Sequence, residues 1–454
     1  MWWRTPWLQQ RWLLLSLAFF DALLLLSFYN LLFWHRFDRW AGITGSISTL
    51  TTLWVALSYL LGRYSKPDPG ERDSQRRRLA STLLVGVLVL SVTVVVLIWG
   101  LRANDPRSFR SFVLPVLGGS TLISGAAQLW IVHIQRRARH WLLIGSPAEL
   151  SIIKAELEQR PQDSRSNITY CPTSDSMSGA TGIEEREYEG IAISETSSLE
   201  DSLLEHLLEL RSRGDAVITL TSWCEQQLQR VPPELFSNRW LLQAEGFELQ
   251  PGNWQWRIKR LGDLFAAAIL LVLSSPVIAV ACLLILLEDG RPIFYSQIRT
   301  GLYGQPFLIR KLRSMRTGSE QSGAQWAKRN DPRITNTGTW LRRLRIDELP
   351  QLANVITGEM SLIGPRPERP ELEANLEQAI PHYRVRHWIR PGLSGWAQVC
   401  FPYGASQADS RMKLSYDIFY MRNAGIFLDL LILIKTIRLI VRRQGYQPSS
   451  RANN

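Results

Sequence analysis

Two adjacent carboxylates follow a run of arginines, a combination that could act on a phosphate ester. In the segment Leu341–Pro350 (LRRLRIDELP), Asp347 and Glu348 come directly after Arg342, Arg343 and Arg345. Carboxylates hold Mg²⁺ or act as nucleophiles, and guanidinium groups match phosphate oxygens in pairs. The cluster therefore indicates a pyrophosphate-bearing substrate with a divalent metal. A helix surface with ion pairs is the commoner meaning of such a run, so other motifs must decide.

Further cationic motifs occur on both sides of this pair. Arg366 stands between two prolines in Gly364–Glu368, which makes its backbone rigid and fixes the direction of its side chain. Arg390 precedes a turn and then Trp396. Lys311 and Arg313 lie at a basic strand end, and Asp331–Thr335 reads as a turn followed by an extended piece.

Taken together, these motifs resemble the bacterial polyprenyl-phosphate hexose-1-phosphate transferases, the monotopic phosphoglycosyl transferase superfamily, over about residues 255–445. The part before residue 255 resembles the long-form members, which start capsule, exopolysaccharide or O-antigen units. The segments 403–406 and 413–417 also match long-form members. The resemblance implies transfer of a sugar 1-phosphate from a UDP-sugar to polyprenyl (undecaprenyl) phosphate, with release of UMP.

The resemblance also assigns roles to particular residues. It implies that Asp347 attacks the β-phosphate and forms a phosphosugar ester, and that Mg²⁺ is the cofactor, with Asp347 as its protein ligand. For Glu348 it leaves two roles open, positioning of the metal or activation of the incoming phosphate. The residues implied to bind substrate phosphate are Arg342, Arg366, Arg390, Lys311 and Arg313. Ser275 and Pro276 match the break of the family's re-entrant membrane helix. The sequence departs from the family pattern at Arg345, Ile346 and Leu312, and the extra arginine could shift phosphate preference.

The first third of the chain contains four apolar runs long enough to span a membrane. They cover roughly residues 12–34, 43–61, 79–101 and 112–134. The loop 63–78 holds six cations, whereas loops 35–40 and 102–111 hold two and three. The positive-inside rule therefore places both ends of the four-helix bundle in the cytoplasm.

Charge and cysteine content exclude other classes. The 52 lysines and arginines exceed the 40 acids by 52 − 40 = 12, which the same loop bias explains. Nucleic-acid recognition motifs are absent, so no nucleic-acid partner is expected. Four cysteines without a C-x-x-C pair indicate neither a disulfide framework nor a zinc site. The expected partners are the UDP-sugar, the polyprenyl phosphate and membrane lipids, and homo-oligomer formation is left open.

The middle segment, residues 141–250, alternates short apolar strands with amphipathic helices. Strands are predicted at 141–144 and 216–220, and helices at 148–158 and 199–211, the latter with Leu203, Leu204, Leu207 and Leu208 on one face. The polar stretch 161–187 reads as a loop. Because Gly145 stands alone without a full G-x-G-x-x-G fingerprint, a structural or regulatory domain without a cofactor is favoured.

A second long apolar run, residues 264–287, contains Ser274-Ser275-Pro276 at its centre and cations on both flanks. Proline removes a backbone donor and disturbs the helix, so a helix–break–helix hairpin that enters and leaves on the cytoplasmic face is predicted. The alternative is a proline-kinked span. Residues 425–443 read as a helix in the membrane interface, with Lys435, Arg438 and Arg442 toward headgroups, or as a globular amphipathic helix.

The predicted fold class is a membrane α plus α/β protein. Its parts are a four-helix transmembrane domain (1–135), a cytoplasmic Rossmann-like α/β domain (141–250), a re-entrant membrane helix hairpin (255–290), a mostly helical catalytic domain at the membrane surface (291–445) and a tail (446–454). The predicted location is the bacterial inner membrane, multi-pass, with the catalytic domain on the cytoplasmic face.

Two other functions are left open. One is a membrane-anchored nucleotide-sugar dehydratase or epimerase, but none of the seven lysines has a tyrosine four residues before it. The other is a non-catalytic scaffold or sensor of polysaccharide assembly. No motif reports which sugar is transferred.

Overall fold

The chain divides into two compact units, Met1–Leu220 and Thr221–Asn454. The computed structural model describes residues 12–61, 64, 87, 91, 114–135, 140–158, 167–173, 188, 190–195, 199–247, 252–318, 331–401 and 406–441. Most of the predicted third membrane run, residues 79–101, and most of the cationic loop 63–78 therefore lie outside the described residues.

The first unit begins with three apolar helices, α1 (Trp12–Phe37), α2 (Gly45–Leu61) and α3 (Leu114–Gln135). They correspond to three of the four predicted runs. By length and composition, the described residues contain two helices able to cross a membrane, one within α1 and one in the second unit. Asp21 in α1 is buried and accepts hydrogen bonds from Tyr64 and Ser124, so a polar cluster ties these segments together. A four-helix transmembrane bundle remains a prediction.

A small parallel sheet follows in the same unit, and its strand order is β2-β1-β3-β4. Its elements are β1 (His140–Gly145), α4 (Pro147–Glu158), β2 (Asn167–Pro172), β3 (Gly190–Ile193), α5 (Asp201–Arg213) and β4 (Ala216–Thr219). The predicted strand–helix alternation is confirmed, as expected for a sheet whose crossovers are helices. The core lies between the central strands and α5.

Two details of the sheet prediction are wrong. The polar stretch 161–187 includes β2, which pairs with β1 along its whole length. On α5 only Leu203 and Leu207 are buried, whereas Leu204 and Leu208 are exposed, because a single stripe of this helix faces the sheet.

The carboxylate of Glu149 lies beside Gly145, at the carboxyl end of β1. It accepts hydrogen bonds from the Ser146 amide at 2.9 Å and from the Ser194 hydroxyl at 2.7 Å. An internal anion thus occupies the start of α4, where an open parallel sheet would place a ligand phosphate.

The second unit is mostly helical. Its elements are α6 (Leu220–Leu228, which starts at the boundary), α7 (Asn238–Gln243), α8 (Trp254–Asp289), β5 (Phe294–Thr300), β6 (Pro306–Leu312), α9 (Asn336–Leu344), α10 (Leu352–Thr357), β7 (Ser361–Ile363), α11 (Pro370–Ala379), β8 (Gly392–Ser394), α12 (Trp396–Cys400), α13 (Gln407–Asn423) and α14 (Ile426–Val441). Short 3₁₀ turns cover Pro233–Leu235, Leu302–Gly304, Ile346–Gln351 and Tyr383–Trp388. Strands β5 and β6 form an antiparallel hairpin, and β7 pairs with β8 in parallel.

The predicted α/β segment 141–250 extends too far. Phe236 and Trp240 pack with Tyr383, Leu414 and Ile418 of the second unit rather than with the sheet. Their apolar side chains are needed to cover α13, so this part of the chain belongs with the second unit.

The long apolar run forms one continuous 36-residue helix, α8, with Pro276 inside it. The predicted break at Ser275 and Pro276 is therefore not seen as an interruption of the helix. Proline deprives the Val272 carbonyl of its usual N–H partner, and the Ser275 hydroxyl donates to that carbonyl at 2.8 Å instead. The side-chain bond replaces the lost backbone bond and lets the helix continue.

Both ends of α8 are attached to the same unit. Near its start, Arg260 donates to the Ile356 carbonyl at 2.9 Å, and Asp263 accepts from the Ser361 hydroxyl at 2.7 Å. At its end, Glu288 accepts from two amides that open α9, Asn336 N at 2.8 Å and Thr337 N at 2.9 Å. The apolar side chains between these anchors are largely exposed, among them Val272 and Leu273.

The terminal helix α14 has one buried apolar face. Leu428 and Ile432 are buried, while Ile426 and Leu430 are exposed. The ammonium of Lys435 stacks on the Trp396 ring at 4.9 Å, so this cation contacts protein rather than pointing away from it as predicted.

Candidate active site

A tight backbone turn presents the two adjacent carboxylates. Helix α9 ends at Arg345, which adopts the left-handed conformation with φ 54°. This conformation is unfavourable for a residue with a Cβ, but it reverses the chain so that a 3₁₀ turn starts at once. Asp347 and Glu348 therefore lie in the first turn after the helix, and Asp347 is buried, with only 7% of its surface exposed.

The Asp347 carboxylate lies in a buried, positively charged environment. Among the described residues, no donor forms a hydrogen bond to it, so its oxygens are available to a ligand. Burial raises its pKa to about 6, and the negative charge of Glu348 adds to this. The positive charges of Lys311, Arg342 and Arg345 act in the opposite direction. The group remains mostly ionised at neutral pH, as a nucleophile must be.

Glu348 differs sharply from its neighbour because two guanidinium groups bind it. Its Oε1 accepts from Arg366 Nη2 at 2.8 Å, and its Oε2 accepts from Arg345 Nη1 at 3.2 Å. Burial alone would raise its pKa, but the charges of Arg366 and Arg345 outweigh burial and lower the pKa to about 2. Glu348 is thus a permanent anion, unsuited to proton transfer near neutral pH.

Lys311 approaches the pair from the β5–β6 hairpin. It pairs across the hairpin with Tyr295, and its ammonium lies 5.0 Å from the centre of that ring. Burial lowers the pKa of Lys311 to about 8, while the charge of Asp347 opposes this decrease. Arg342 adds a second positive charge from α9, where its Nε donates to the Ser314 hydroxyl at 2.8 Å. The hairpin and α9 therefore bring two predicted phosphate-binding residues to Asp347.

Two other predicted phosphate-binding residues have partners elsewhere. Arg313 is buried and donates to the carbonyls of Asp289 and Gly290, both at 2.8 Å, which lack helical partners at the end of α8. Arg390 stacks over the Trp256 ring at 4.7 Å, near the start of α8. These contacts give both residues a structural role in holding α8, and they do not support a role at the Asp347–Glu348 pair.

Sequence reasoning did not identify two arginines that hold the Arg366 loop. Arg299 of β5 donates to the Pro367 carbonyl, and Arg386, from a 3₁₀ turn, donates to the Arg366 carbonyl. Their positions along the chain carry no spacing signal that points to this loop. Only the folded arrangement of β5, the loop and the 3₁₀ turn Tyr383–Trp388 shows them.

A magnesium ion would find few protein ligands here. In the described part of the chain, no three His, Cys, Asp or Glu side chains converge as a metal site. Mg²⁺ is commonly bound by one or two carboxylates together with substrate phosphates. The available carboxylate of Asp347 fits that pattern, whereas Glu348 is occupied by its two arginines.

Comparison with known proteins places these features in a family. Residues 254–443 match the family model described as bacterial sugar transferase. The chain is 30% identical over 391 residues to the undecaprenyl-phosphate glucose phosphotransferase of Komagataeibacter xylinus, covering 82% of this chain and 72% of that protein. The chain therefore belongs to the bacterial sugar transferase family, and the prediction of the family is confirmed.

Two further relatives match a shorter part of the chain. The chain is 47% identical over 188 residues to the UDP-N-acetylgalactosamine-undecaprenyl-phosphate N-acetylgalactosaminephosphotransferase of Aeromonas hydrophila, covering 41% of this chain and 44% of that protein. It is 36% identical over 182 residues to the UDP-glucose:undecaprenyl-phosphate glucose-1-phosphate transferase of Escherichia coli strain K12, covering 40% and 39%. The chain thus spans less than half of these two relatives, whose names specify different sugars.

Proposed function

We propose that this enzyme transfers a sugar 1-phosphate from a UDP-sugar to undecaprenyl phosphate or a similar polyprenyl phosphate, as the first membrane step of exopolysaccharide, capsule or O-antigen synthesis. The observation that carries the proposal is Asp347, a buried carboxylate without a protein hydrogen-bond donor among the described residues, next to cationic Lys311 and Arg342. The relatives' names supply the substrate class.

In the first half-reaction, a carboxylate oxygen of Asp347 attacks the β-phosphorus of the UDP-sugar. The bond from that phosphorus to the oxygen of the α-phosphate breaks, and UMP leaves with the electron pair. Lys311 and Arg342 orient and neutralise the phosphate oxygens, while Glu348 holds Arg345 and Arg366 in place. Bound Mg²⁺, with Asp347 as a protein ligand, would supply further neutralisation of the pyrophosphate.

In the second half-reaction, a phosphate oxygen of the polyprenyl acceptor attacks the phosphorus of the aspartyl ester. The carboxylate of Asp347 leaves and is regenerated. An apolar groove of about 540 Å³ lies between α8 and α9 and supports a lipid acceptor. Pro276, Val280 and Trp340 line it, and it reaches Ile346, the residue directly before Asp347.

The test of the reaction is an assay of the purified full chain against a panel of UDP-sugars with undecaprenyl phosphate and Mg²⁺. We expect one sugar to give UMP and a lipid-extractable sugar diphosphate, and we expect chelation of Mg²⁺ to stop both. Failure of every UDP-sugar to release UMP would contradict the proposal and favour the scaffold alternative. The family match already argues against a dehydratase or epimerase.

The groove predicts a separation of the two half-reactions. Replacing Val280 with Trp should block the lipid chain and raise the KM for undecaprenyl phosphate by about tenfold, because filling an apolar site costs affinity. UMP release in the absence of acceptor should stay within about twofold of wild type. The matched control is Leu283→Trp, an exposed position on α8 outside the groove. Equal effects of the two variants would show that the groove does not hold the acceptor.

We further propose that α8 enters and leaves the membrane on the cytoplasmic face. The support is that both of its ends are anchored in one unit while its middle exposes apolar side chains. A cysteine at Arg310, in a variant without the native cysteines, should react with an impermeant thiol reagent only after lysis of spheroplasts. Reaction in intact spheroplasts would instead indicate a full span. We propose as well that the segment before residue 135 crosses the membrane several times as a helical bundle.

A further inference from the structure

The loop that carries Arg366 is fixed by its backbone carbonyl groups. Four successive carbonyls, from Pro365 to Glu368, each accept a hydrogen bond from a different residue. In order, the donors are Gly392 N at 2.8 Å, Arg386 Nη2 at 2.9 Å, Arg299 Nη1 at 3.1 Å and Thr300 N at 3.0 Å. Pro365 and Pro367 have no N–H, so the carbonyls are the main means by which the fold can hold this loop.

Two of the four donors are side chains rather than strand backbone. Arg386 is 4% exposed, and the same Nη2 donates to Asp417 at 3.1 Å. Arg299 also donates to Gln297 Oε1 at 2.6 Å, and its nearest acid, Glu368, lies 4.0 Å away. Burying the Arg299 guanidinium group with so little compensation is costly. A residue needed only for packing would not require such a charge.

The two bonded carbonyls lie next to the functional side chain. The Arg366 carbonyl carbon is bonded directly to the Cα from which the Arg366 guanidinium extends to Glu348 Oε1, at 2.8 Å, and the Pro367 carbonyl is one residue further along the chain. A shift of this backbone would move the guanidinium by a comparable amount. Since a charged hydrogen bond weakens steeply with distance, Glu348 would lose one of its two anchors.

We propose that Arg386 and Arg299 are positioning residues, which fix the Arg366 backbone and thereby the Arg366–Glu348 contact beside Asp347. The expected loss of kcat/KM rests on the proposed function, whereas the expected loosening of the Arg366 loop does not. Asp417 serves as the counter-charge that keeps the Arg386 fork directed at the loop.

The test is a double-mutant cycle on the full chain with Arg386→Lys, Arg366→Ala and the combined variant. Lysine keeps the charge opposite Asp417 but lacks the fork that serves two acceptors. We expect Arg386→Lys alone to lower kcat/KM for UMP release by about tenfold. In the Arg366→Ala background the same change should have an effect within about twofold, because the two residues act as one unit. A tenfold loss in both backgrounds would overturn the proposal.

The matched control is Arg384→Lys, two residues away, whose side chain is 81% exposed and pairs with Glu377; it should leave kcat/KM unchanged. The same cycle with Arg299→Lys decides the question if Arg386→Lys does not fold. Hydrogen exchange provides a readout without substrate: Arg386→Lys or Arg299→Lys should speed exchange of the Gly364, Arg366 and Glu368 amides while α13 stays protected. Loosened loop amides without any UMP release from wild type would contradict the proposed reaction but support the positioning role. Unchanged exchange would contradict the positioning role.

Discussion

Replacing Asp347 with Asn is expected to abolish UMP release, with a loss of about 10³-fold or more, as found when a covalent nucleophile is removed. The amide is nearly the same size but cannot attack phosphorus and carries no charge. The measurement is the initial rate of UMP formation with a saturating UDP-sugar. Glu371→Gln, an exposed acid in the same unit, is the control and should keep full activity. Turnover within tenfold of wild type would rule out Asp347 as nucleophile.

The same variant should not be less stable than wild type. Because the folded pKa of Asp347 is raised to about 6, the native state binds its proton more tightly than the unfolded chain does. Above that pKa, its ionisation therefore destabilises the fold. Asp347→Asn should raise the melting temperature at pH 7.5, and this gain should disappear toward about pH 4, where the wild-type carboxyl is also neutral. Loss of activity together with increased stability would separate catalysis from folding.

The second large effect is expected in the pH dependence of Glu348→Gln. Asp347 must be ionised to attack, so kcat/KM should fall as the pH drops through its pKa, near pH 6 in wild type. Burial is the main cause of that raised pKa, and the charge of Glu348 is the next. Removing this charge should move the acidic limb of the profile to lower pH by about one unit. The maximal rate should also fall by about tenfold, because Arg345 and Arg366 lose their shared partner.

A second variant tests the sign of this effect. Lys311 lowers the pKa of Asp347, so Lys311→Met should move the acidic limb to higher pH. The profile of kcat/KM is the measurement, because it reports groups on the free enzyme. If the acidic limbs of Glu348→Gln and Lys311→Met moved in the same direction, or if neither moved, Asp347 would not control the pH profile.

Apolar runs and charged motifs in the sequence predicted several helices and strands and the carboxylate pair of the candidate site. The strand at 141–144 follows from a short apolar run and the presence of a long apolar helix at 264–287 from a longer one, although the break predicted at Ser275 and Pro276 is not seen. The carboxylate pair was predicted from its neighbours, and the structure brings Lys311 and Arg342 to it. These residues share the charge and motif signals on which the sequence analysis depends.

Tertiary contacts determine the side-chain partners that the sequence did not predict. Lys311 and Arg313 are two residues apart and looked equivalent, yet Arg313 binds the carbonyls at the end of α8. Arg299 and Arg386 bind adjacent carbonyls of one loop although they are distant in sequence. Strand β2 carried only a weak apolar signal because it lies at the edge of the sheet and its side chains at 168–172 are half-buried. Side-chain partners of this kind depend on the three-dimensional arrangement of elements rather than on spacing.

The most direct test of the account is to trap the covalent phosphosugar on Asp347. The full chain would be mixed with the active UDP-sugar and Mg²⁺ without acceptor, quenched quickly and digested with trypsin. Cleavage after Arg345 yields a peptide that begins at Ile346 and contains Asp347 near its start. We predict that this peptide gains the mass of one sugar phosphate, that Asp347→Asn prevents the gain, and that added undecaprenyl phosphate removes it. UMP release with no sugar phosphate on this peptide, or with the group on another residue, would contradict the account.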